Sequence, residues 1–327
     1  MKVLIIGAAG MVGRKLTTAL LQAGTIGNQS ITGMILADVI APTKPDTAIP
    51  TQTIAADLSS PGIAEHLLAD RPDVIFHLAA IVSGEAEADF EKGYRINLDG
   101  TRLLFEAIRH AGAVEKYCPR VVFTSSIAVF GQPFPAVISD TQHHTPLTSY
   151  GTQKAICELL LADYSRRGFL DGVGIRLPTI VVRPGKPNKA ASGFFSGILR
   201  EPLNGQEAVL PVADSVRHWF ASPRAAVGFL IHAATLDTAQ LGAQRNLSMP
   251  GISATVAEEI AALERAAGPK AVALIRREPD PTIVKIVDGW AQDFDPQRAI
   301  ALGFTADADL DALLAVYIDE ELGGKVG

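Results

Sequence analysis

The sequence predicts an α/β fold, in which a doubly wound parallel sheet is followed by a smaller α/β lobe towards the C-terminus. Short continuous apolar segments, such as residues 3–6, are typical of strands that are buried on both faces of a sheet. These segments alternate with longer segments of helical periodicity. Strands that are connected through helices pair in parallel with right-handed crossovers, and this is the architecture that the alternation predicts.

The individual elements follow in chain order. The first strand covers residues 3–6, and a helix at 11–23 ends at Gly24, because glycine readily adopts the left-handed conformation that closes a helix. The other strands are predicted at residues 31–39, 51–55, 74–78, 121–124 and 174–182. The other helical segments are predicted at residues 88–111, 194–199, 223–234 and 255–267. We therefore expect one domain at 1–184, to which segments from about 219–248 return, and a lobe at 185–327.

The bulk composition excludes several classes of protein. The 327 residues carry a net charge of −6 and no run rich in Lys and Arg, so nucleic acid is not an expected partner. No apolar run approaches the roughly 18 residues that a membrane span needs, and the N-terminal apolar segment is too short for a signal peptide. Cys118 and Cys157 show no metal-ligand spacing and fit a reducing compartment. A cytoplasmic protein without a metal is expected.

A glycine-rich segment joins the first strand to the first helix with the spacing GxxGxxG. Glycine permits a tight turn, lets a phosphate approach the backbone, and lets the helix pack closely on the strand. The backbone N–H groups at the start of the helix then bind the phosphates of a dinucleotide. The expected contacts come from Gly7, Ala9, Gly10, Met11, Val12 and Gly13. The segment therefore predicts a Rossmann sheet with a bound dinucleotide, and residues 1–184 become its binding domain.

Asp38 ends the second predicted strand and indicates which dinucleotide is bound. A carboxylate at this point accepts hydrogen bonds from both ribose hydroxyls of NAD and repels the 2′-phosphate of NADP. Val39 and Ile40, which follow, offer no arginine to a phosphate. The sequence therefore predicts NAD. Asp57 and Leu58, after the third strand, are candidates for adenine contacts, although Asp57 is equally a candidate for a helix N-cap.

Tyr150 and Lys154 stand four residues apart and therefore share one face of a predicted helix. A free phenol has a pKa of about 10, and a nearby ammonium together with the positive nicotinamide ring favours the phenolate. Ser126 ends a predicted strand at the cofactor edge of the sheet, where its hydroxyl can hold the reacting oxygen of a substrate. The three residues together indicate hydride transfer that is coupled to proton transfer.

These motifs, with residues 76–80 and Asn97, occur in the order seen in the extended short-chain dehydrogenase/reductase superfamily, which the chain resembles over nearly its whole length. The resemblance implies that Tyr150 is the acid/base, that Lys154 activates it, and that Ser126 holds the substrate, with Ser125 as an alternative. The same resemblance implies further site residues: Ala79 and Ala80 in the cofactor floor, Asn97 as a support of the lysine through water, and Ser83 beside the substrate. It also implies a homodimer that pairs helices at about 88–111 and 150–166.

Two classes of substrate remain open. Arg217, His218 and Trp219 resemble a segment with which nucleotide-sugar epimerases and dehydratases hold a diphosphate, but His218 replaces an aspartate of that segment. The residues at 193–203, 205–211 and 217–224 resemble most the branch that oxidises short sugar acids such as D-erythronate at C2. That branch implies a lobe at 185–327 that binds the substrate.

In that branch, the candidates for the substrate carboxylate are Arg217, which we prefer, and Arg183, and those for its hydroxyls are Asn188 and Ser192. Either arginine is equally a candidate for a structural ion pair. A dinucleotide sensor without catalysis is a third interpretation. The presence of both Tyr150 and Lys154 favours an enzyme over a sensor.

Overall fold

The computed structural model describes residues 1–185 and 191–326. The strands in these ranges are β1 (Lys2–Ile6), β2 (Thr25–Ile26), β3 (Gln29–Ser30), β4 (Gly33–Asp38), β5 (Thr51–Ala55), β6 (Val74–His77), β7 (Arg120–Ser126), β8 (Asp171–Leu177), β9 (Thr179–Ile180), β10 (Ala208–Leu210), β11 (Arg217–Ala221), β12 (Asn246–Ser248), β13 (Ile252–Thr255) and β14 (Ile275–Arg277). The α-helices are α1 (Met11–Ala23), α2 (Ile63–Leu67), α3 (Ser83–Ala88), α4 (Phe90–Gly93), α5 (Gly100–Val114), α6 (Ser149–Arg166), α7 (Gly193–Leu203), α8 (Pro223–Thr235), α9 (Val256–Val272), α10 (Pro281–Asp288), α11 (Gln297–Ala301) and α12 (Leu310–Leu322).

The chain folds into two compact units. Unit 1 consists of Met1–Val129, Thr148–Arg176 and Val227–Leu247. Its seven-stranded sheet has the order β12-β8-β7-β6-β1-β4-β5, and the pairs β1–β4, β4–β5, β1–β6 and β6–β7 are parallel. The strand order runs outwards in both directions from β1, which is the doubly wound arrangement. The predicted fold class is confirmed.

The core of unit 1 follows from the sequence pattern that predicted it. The continuous apolar strands β1, β6 and β7 are buried on both faces, and Leu4, Phe76 and Phe123 are fully buried there. Helix α5 packs an apolar face that includes Phe105 onto this core. The carboxyl ends of β1, β4, β6 and β7 therefore lie along one edge of the sheet, where the candidate cofactor and catalytic residues follow.

Unit 2 consists of Phe130–Leu147, Leu177–Ala226 and Ser248–Gly327. In it, β11 lies between β9, to which it is parallel, and β13, to which it is antiparallel. A second pair, β10 and β14, is parallel. Helices α7, α9 and α12 pack together around a core of their own. The smaller C-terminal part is therefore an α/β unit, as the sequence predicts.

Two predicted elements have different bounds in the structure. The strand predicted at 174–182 is two strands, because Pro178 between β8 and β9 has no N–H group to donate to a ladder. The two strands belong to different sheets. The helix predicted at 88–111 is α4, a π-helix at Tyr94–Asp99, and α5.

The division into units also differs from the predicted domains in several segments. The predicted first domain at 1–184 included 130–147 and 177–184, and the structure assigns both segments to unit 2. The segment that returns to unit 1 is Val227–Leu247 and does not begin near 219, because β11 pairs with strands of unit 2.

None of the helices in the described ranges is long and apolar enough to cross a membrane. Among the same residues, no group of three or more His, Cys, Asp or Glu side chains is arranged to hold a metal ion.

Glu259 in α9 makes the stability of the protein depend on pH. Its side chain is fully buried, and neither carboxylate oxygen has a hydrogen-bond partner among the described residues. Burial raises the pKa of Glu259 well above its usual value. The unfolded chain releases this proton at a lower pH than the folded protein does. The free energy of unfolding therefore falls as the pH rises from the unfolded pKa of about 4.3 towards the folded pKa.

We expect Glu259→Gln to remove this slope, which for one group is at most about 1.4 kcal/mol per pH unit. Denaturant unfolding at several pH values from about 5 to 8 measures it, in a range where an ordinary carboxyl is already ionised. Glu258→Gln is the matched control, since the exposed Glu258 has a lowered pKa and should leave the slope in this range unchanged. An undiminished slope in Glu259→Gln would contradict the assignment.

Candidate active site

The glycine turn between β1 and α1 is packed so closely that two of its glycines admit no side chain. A Cβ atom on Gly7, whose φ is 94°, would lie 2.7 Å from the backbone nitrogen of Ala79. A Cβ atom on Gly13 would lie 2.2 Å from the carbonyl oxygen of Gly7. A Cβ atom on Gly10 would meet only that same oxygen within 4 Å, at 3.3 Å. Gly7 and Gly13 therefore shape the turn, and Gly10 faces open space.

Helix α1 begins at this turn with a free positive end. Gly10 is its N-cap residue, no side chain caps it, and its first turn contains no acidic residue. The first N–H groups of a helix lack partners inside the helix and attract an anion. The glycine turn and the N-terminus of the 13-residue helix α1 together form a cradle of backbone N–H groups. This cradle fits the diphosphate of a dinucleotide. Ala9 lies in this turn, and Met11 and Val12 are the first two residues of α1, so their contacts with a dinucleotide stay predictions.

Asp38 ends β4 directly beside the glycine turn. Its Oδ2 accepts a hydrogen bond of 2.9 Å from the backbone N–H of Ala9. The carboxylate is therefore fixed at the edge of the cradle, where a ribose of NAD would be held. Val39 and Ile40 are exposed beside it, at 60% and 73%.

Asp57 and Leu58 have different surroundings. Oδ1 of Asp57 accepts hydrogen bonds from the N–H group and the hydroxyl of Ser59, and Oδ2 pairs with Arg95 at 2.9 Å. Burial raises the pKa of Asp57, but these bonds outweigh burial and lower it. Leu58 is buried. The carboxylate is thus already engaged, and an adenine contact by Asp57 stays a prediction.

Tyr150, the second residue of α6, lies close enough to Ser126, at the end of β7, for the Ser126 hydroxyl to lower the pKa of its phenol. Oγ of Ser126 accepts a hydrogen bond of 3.1 Å from the N–H group of Ala128. Both side chains are partly exposed. The fold thus brings together the predicted acid/base and the predicted substrate clamp, although they are distant in sequence.

Lys154 lies one helical turn after Tyr150 and is almost completely buried, at 3% exposure. Its Nζ donates a hydrogen bond of 2.7 Å to the carbonyl oxygen of Thr124 and lies 5.8 Å from the centre of the Tyr150 ring. Burial lowers the pKa of Lys154 to about 8, against the opposing effect of Cys157 and Glu158. The lysine therefore carries its charge at neutral pH.

Burial acts on Tyr150 in the direction opposite to that expected of a base. It raises the pKa of Tyr150 to about 12, and the nearby hydroxyl of Ser126 offsets only a part of this. The phenol is therefore protonated at neutral pH in the protein alone. A positively charged group bound beside the phenol would lower this pKa.

Ser125 does not fit the alternative role of substrate clamp. Its side chain is 2% exposed, and its hydroxyl donates a hydrogen bond of 2.5 Å to Glu158. Glu158 is in turn paired with Arg176, whose Nη2 lies 2.8 Å from the carboxylate, and all three are buried. Successive residues of a strand point to opposite faces, so Ser125 faces the core where Ser126 faces the site.

Asn97 lies in the π-helix and is buried. Its Oδ1 accepts a hydrogen bond of 2.9 Å from the N–H group of Ile81, the residue after Ala79 and Ala80. Its Nδ2 donates to the carbonyl oxygen of Ile81 at 3.2 Å and to Oε1 of Gln153 at 2.8 Å. The side chain of Asn97 therefore holds the segment after β6, and its predicted support of Lys154 through water stays a prediction.

In unit 2, Arg183 and Ser192 lie together. Nη2 of Arg183 donates to the carbonyl oxygen and to the hydroxyl of Ser192, at 3.0 Å and 3.1 Å. Burial and the charge of Arg200 lower the pKa of Arg183, and no carboxylate of the described residues offsets them. Asn188 lies outside the described residues. Ser83, in unit 1, is the first residue of α3 and is partly exposed.

Arg217 is less free than Arg183. Its Nη1 donates a hydrogen bond of 2.9 Å to the carbonyl oxygen of Ser253, and its Nη2 pairs with Glu258 at 3.3 Å. An ion pair with a protein carboxylate competes with a substrate carboxylate for the same guanidinium. These contacts of Arg217 favour Arg183 as the carboxylate partner, and which arginine binds a substrate stays a prediction.

His218 is a core residue of unit 2. Its ring stacks on Phe195 with an angle of 3° between the planes, and its Nε2 lies 2.7 Å from the hydroxyl of Thr179. Its Nδ1 lies 3.1 Å from the carbonyl oxygen of Ala291. Burial lowers the pKa of His218 to about 4, so the ring is neutral and both nitrogens are engaged. The residue therefore does not serve an anionic ligand.

Comparison with known proteins now bears on the assignment. The sequence profile of the NAD dependent epimerase/dehydratase family matches residues 3–240, more than half of the chain. The chain belongs to this family. The resemblance to extended short-chain dehydrogenases/reductases is confirmed, and so are NAD as the cofactor and the class of NAD-dependent dehydrogenase.

The relatives of this epimerase/dehydratase family member include two that match over their full length. A D-erythronate dehydrogenase of Cupriavidus necator is 46% identical over 324 residues, which cover 98% of each chain. A D-erythronate dehydrogenase of Haemophilus influenzae is 41% identical over 324 residues, which cover 98% of this chain and 100% of that one. Among solved structures, a nucleoside-diphosphate-sugar epimerase from Agrobacterium tumefaciens is 64% identical, with a TM-score of 0.98 and coverage of 100% of this chain and 96% of that one.

The sequence pattern did not indicate the part that Gln153 plays in this family member. It stands inside the spacer of the Tyr150–Lys154 motif. An amide side chain directly before the lysine of the motif is the only signal that the sequence contains. Its partner Asn97 is distant in sequence, so the hydrogen bond between them becomes visible only in the fold.

Alanine replacement of the two adjacent serines separates their roles. Ser126→Ala should lower kcat by about 10²-fold, because it removes a group aimed at the reacting oxygen. Ser125→Ala should leave kcat nearly unchanged. It should lower the free energy of unfolding by about 1–3 kcal/mol, since Glu158 loses a buried hydrogen bond. Initial rates and denaturant unfolding measure both. An equal loss of kcat in Ser125→Ala would refute the assignment.

Proposed function

We propose that the enzyme oxidises the C2 hydroxyl of a short sugar acid, such as D-erythronate, to the 2-keto acid, with Tyr150 as the general base. Two relatives that match over their whole length are named D-erythronate dehydrogenase. The observation that carries the chemistry is that the Tyr150 phenol lies beside the Ser126 hydroxyl, with the buried Lys154 Nζ 5.8 Å from the centre of its ring. This arrangement offers one hydroxyl to orient an alcohol and one phenol to take its proton.

The residues of the chain have separate tasks in this reaction. Ser126 holds the substrate hydroxyl, and Tyr150 takes the hydroxyl proton as the C2–H bond breaks. Bound NAD supplies the acceptor for the hydride and, in its oxidised form, a positive charge. Lys154, whose Nζ lies 5.8 Å from the centre of the Tyr150 ring, adds the positive charge of its ammonium group. Asn97 holds the residues after Ala80, which we propose line the cofactor.

We further propose that Arg183 binds the carboxylate of the substrate. A guanidinium forms two parallel hydrogen bonds with a carboxylate, which is the strongest attachment that a short acid offers. Arg183 is partly buried and has no carboxylate partner in the described parts of the chain, and Ser192 fixes one side of it. Burial and the charge of Arg200 disfavour the positive charge of Arg183, and the carboxylate of a bound acid would stabilise that charge.

The alternative function is that of a nucleotide-sugar 4-epimerase or dehydratase. One observation favours it, namely the 64% identity to a structure described as a nucleoside-diphosphate-sugar epimerase. Against it, a UDP-glucose 4-epimerase of Rhizobium leguminosarum matches over only 46% of this chain and 41% of its own, at 34% identity. His218, in the segment that resembles a diphosphate site, is also buried, and both of its ring nitrogens are hydrogen-bonded within the protein.

We also propose that the enzyme is a homodimer that pairs α5 and α6 with their counterparts. Leu159 on α6 is 66% exposed, although it is a large apolar residue in the middle of a helix. Such a side chain is expected to be covered in a stable assembly. The mass in solution, measured by light scattering at micromolar concentration, should be twice that of the chain, and a monomer would contradict the pairing.

A comparison of three substrates tests the proposed reaction. Formation of NADH is measured with D-erythronate and with the uncharged four-carbon polyol. With a UDP-sugar, formation of the epimerised or dehydrated product is measured, because a 4-epimerase or dehydratase returns the hydride to the sugar and releases no NADH. We expect the highest kcat/KM for the acid, because only the acid engages the guanidinium. Equal use of the polyol would contradict the carboxylate site, and faster turnover of the UDP-sugar would restore the epimerase alternative.

The matched exchanges Arg183→Lys and Arg217→Lys identify the arginine. Each keeps the charge and removes the planar fork, so the one that holds the carboxylate should lower kcat/KM for the acid by about 10-fold or more. We expect this loss in Arg183→Lys and a smaller one in Arg217→Lys. The reverse order would assign the carboxylate to Arg217.

A further inference from the structure

Gln153 joins the catalytic helix to the segment that follows β6. It lies directly before Lys154 on α6 and is completely buried. Its Oε1 accepts the hydrogen bond of 2.8 Å from Nδ2 of Asn97. Asn97 in turn binds both the N–H group and the carbonyl oxygen of Ile81. A continuous series of hydrogen bonds therefore runs from the spacer of the catalytic motif to the residue after Ala80.

We propose that Gln153 is a positioning residue, which fixes residues 79–81 relative to Tyr150 and Lys154 by orienting the amide of Asn97. The inference rests on the proposed function in one respect, namely that residues 79–81 line the cofactor. It assigns no contact between Gln153 and the reacting atoms.

The hydrogen bonds permit only one orientation of the two amides. The N–H group of Ile81 can donate only to an oxygen, so Oδ1 of Asn97 must face Ile81 and Nδ2 must face Gln153. Gln153 must then present its own oxygen to Asn97. A side chain of similar size in place of Gln153, but without an acceptor, would fill the space. It would remove the acceptor of the hydrogen bond that Nδ2 of Asn97 donates to Gln153.

The backbone around Asn97 is fixed independently of Gln153. The wider turn of the π-helix leaves the carbonyl oxygen of Asn97 available, and it accepts hydrogen bonds from Thr101 Oγ1 at 2.7 Å and from Cys157 Sγ at 3.4 Å. Its side-chain amide is therefore the part that still has to be oriented. Gln153 provides the contact from α6 that does so.

The structure also keeps space for Gln153. A Cβ atom on Gly93, at the end of α4, would lie 2.7 Å from Nε2 of Gln153 and 3.2 Å from the Cβ atom of Ala86. Such an approach is too close for real atoms, so Gly93→Ala would displace the glutamine. Substitution of Gly93 is therefore a second way to disturb the hydrogen bond between Gln153 and Asn97.

Binding of NADH, followed by its fluorescence, tests the proposal without any substrate. Gln153→Met keeps the size of the side chain and removes the acceptor. We expect it to raise the Kd for NADH about tenfold, which corresponds to the loss of one buried hydrogen bond. Thr152→Val is the matched control: it removes a hydrogen bond within α6, to the carbonyl oxygen of Thr148, and should leave this Kd unchanged.

A double-mutant cycle with Asn97→Ala distinguishes positioning from a general loss of packing. If Gln153 acts through Asn97, Gln153→Met in the Asn97→Ala background should cost almost nothing further. The same tenfold loss in both backgrounds, or an unchanged Kd in the single variant, would overturn the proposal.

If Gln153→Met does not fold, which thermal unfolding would show, Gly93→Ala takes its place in the same cycle. It should weaken NADH binding when Asn97 is present and not when Asn97 is replaced. An unchanged Kd in Gly93→Ala would then overturn the proposal. Because NADH alone is the probe, none of these results depends on whether the substrate is a sugar acid, which the three-substrate comparison tests separately.

Discussion

The burial of the Lys154 ammonium group is the constraint around which the active site of unit 1 is arranged. A buried charge is costly unless it is hydrogen-bonded, and Lys154 has the carbonyl oxygen of Thr124 at 2.7 Å and the ring of Phe123 with its centre 4.7 Å away. Its surroundings must therefore be neutral or negative. His77 meets this requirement, because burial first and the charge of Lys154 second lower its pKa to about 3. The ammonium group lies 5.8 Å from the centre of the Tyr150 ring.

Helix α6 carries Tyr150 and Lys154, the proposed catalytic residues, and is held from two sides. On one side the buried pair of Glu158 and Arg176, joined by Ser125, ties it to β7 and β8. Removal of one partner of such a buried ion pair strongly destabilises the protein. The pair therefore fixes the position of α6 relative to β7 and β8. On the other side Asn97 and Gln153 tie the helix to the cofactor edge. Residues that are not proposed to contact the substrate therefore determine the position of Tyr150 and Lys154.

The sequence was sufficient for the fold class and for NAD as the cofactor. It also placed Asp38 at the end of a strand and Tyr150 and Lys154 one helical turn apart, because these features depend on local spacing or on strand–helix alternation. It could not separate Ser125 from Ser126, since strand alternation needs a known register. It favoured Arg217, because it could not show the ion pair with Glu258, which joins positions that are distant in sequence. It also missed Gln153, whose partner is 56 residues away. Local sequence patterns do not show contacts between residues that are far apart in the chain.

We propose that Tyr150 acts as a base when the positive charge of oxidised NAD joins that of Lys154. Without NAD, burial outweighs the effect of the Ser126 hydroxyl and raises the pKa of Tyr150 to about 12. The direct test is a spectrophotometric titration of tyrosinate in the unaltered enzyme minus that in Tyr150→Phe, with and without oxidised NAD. We predict that Tyr150 ionises well above pH 10 in the free enzyme, at a markedly lower pH with NAD bound, and with a smaller decrease in Lys154→Met. An identical titration with and without NAD would contradict the account.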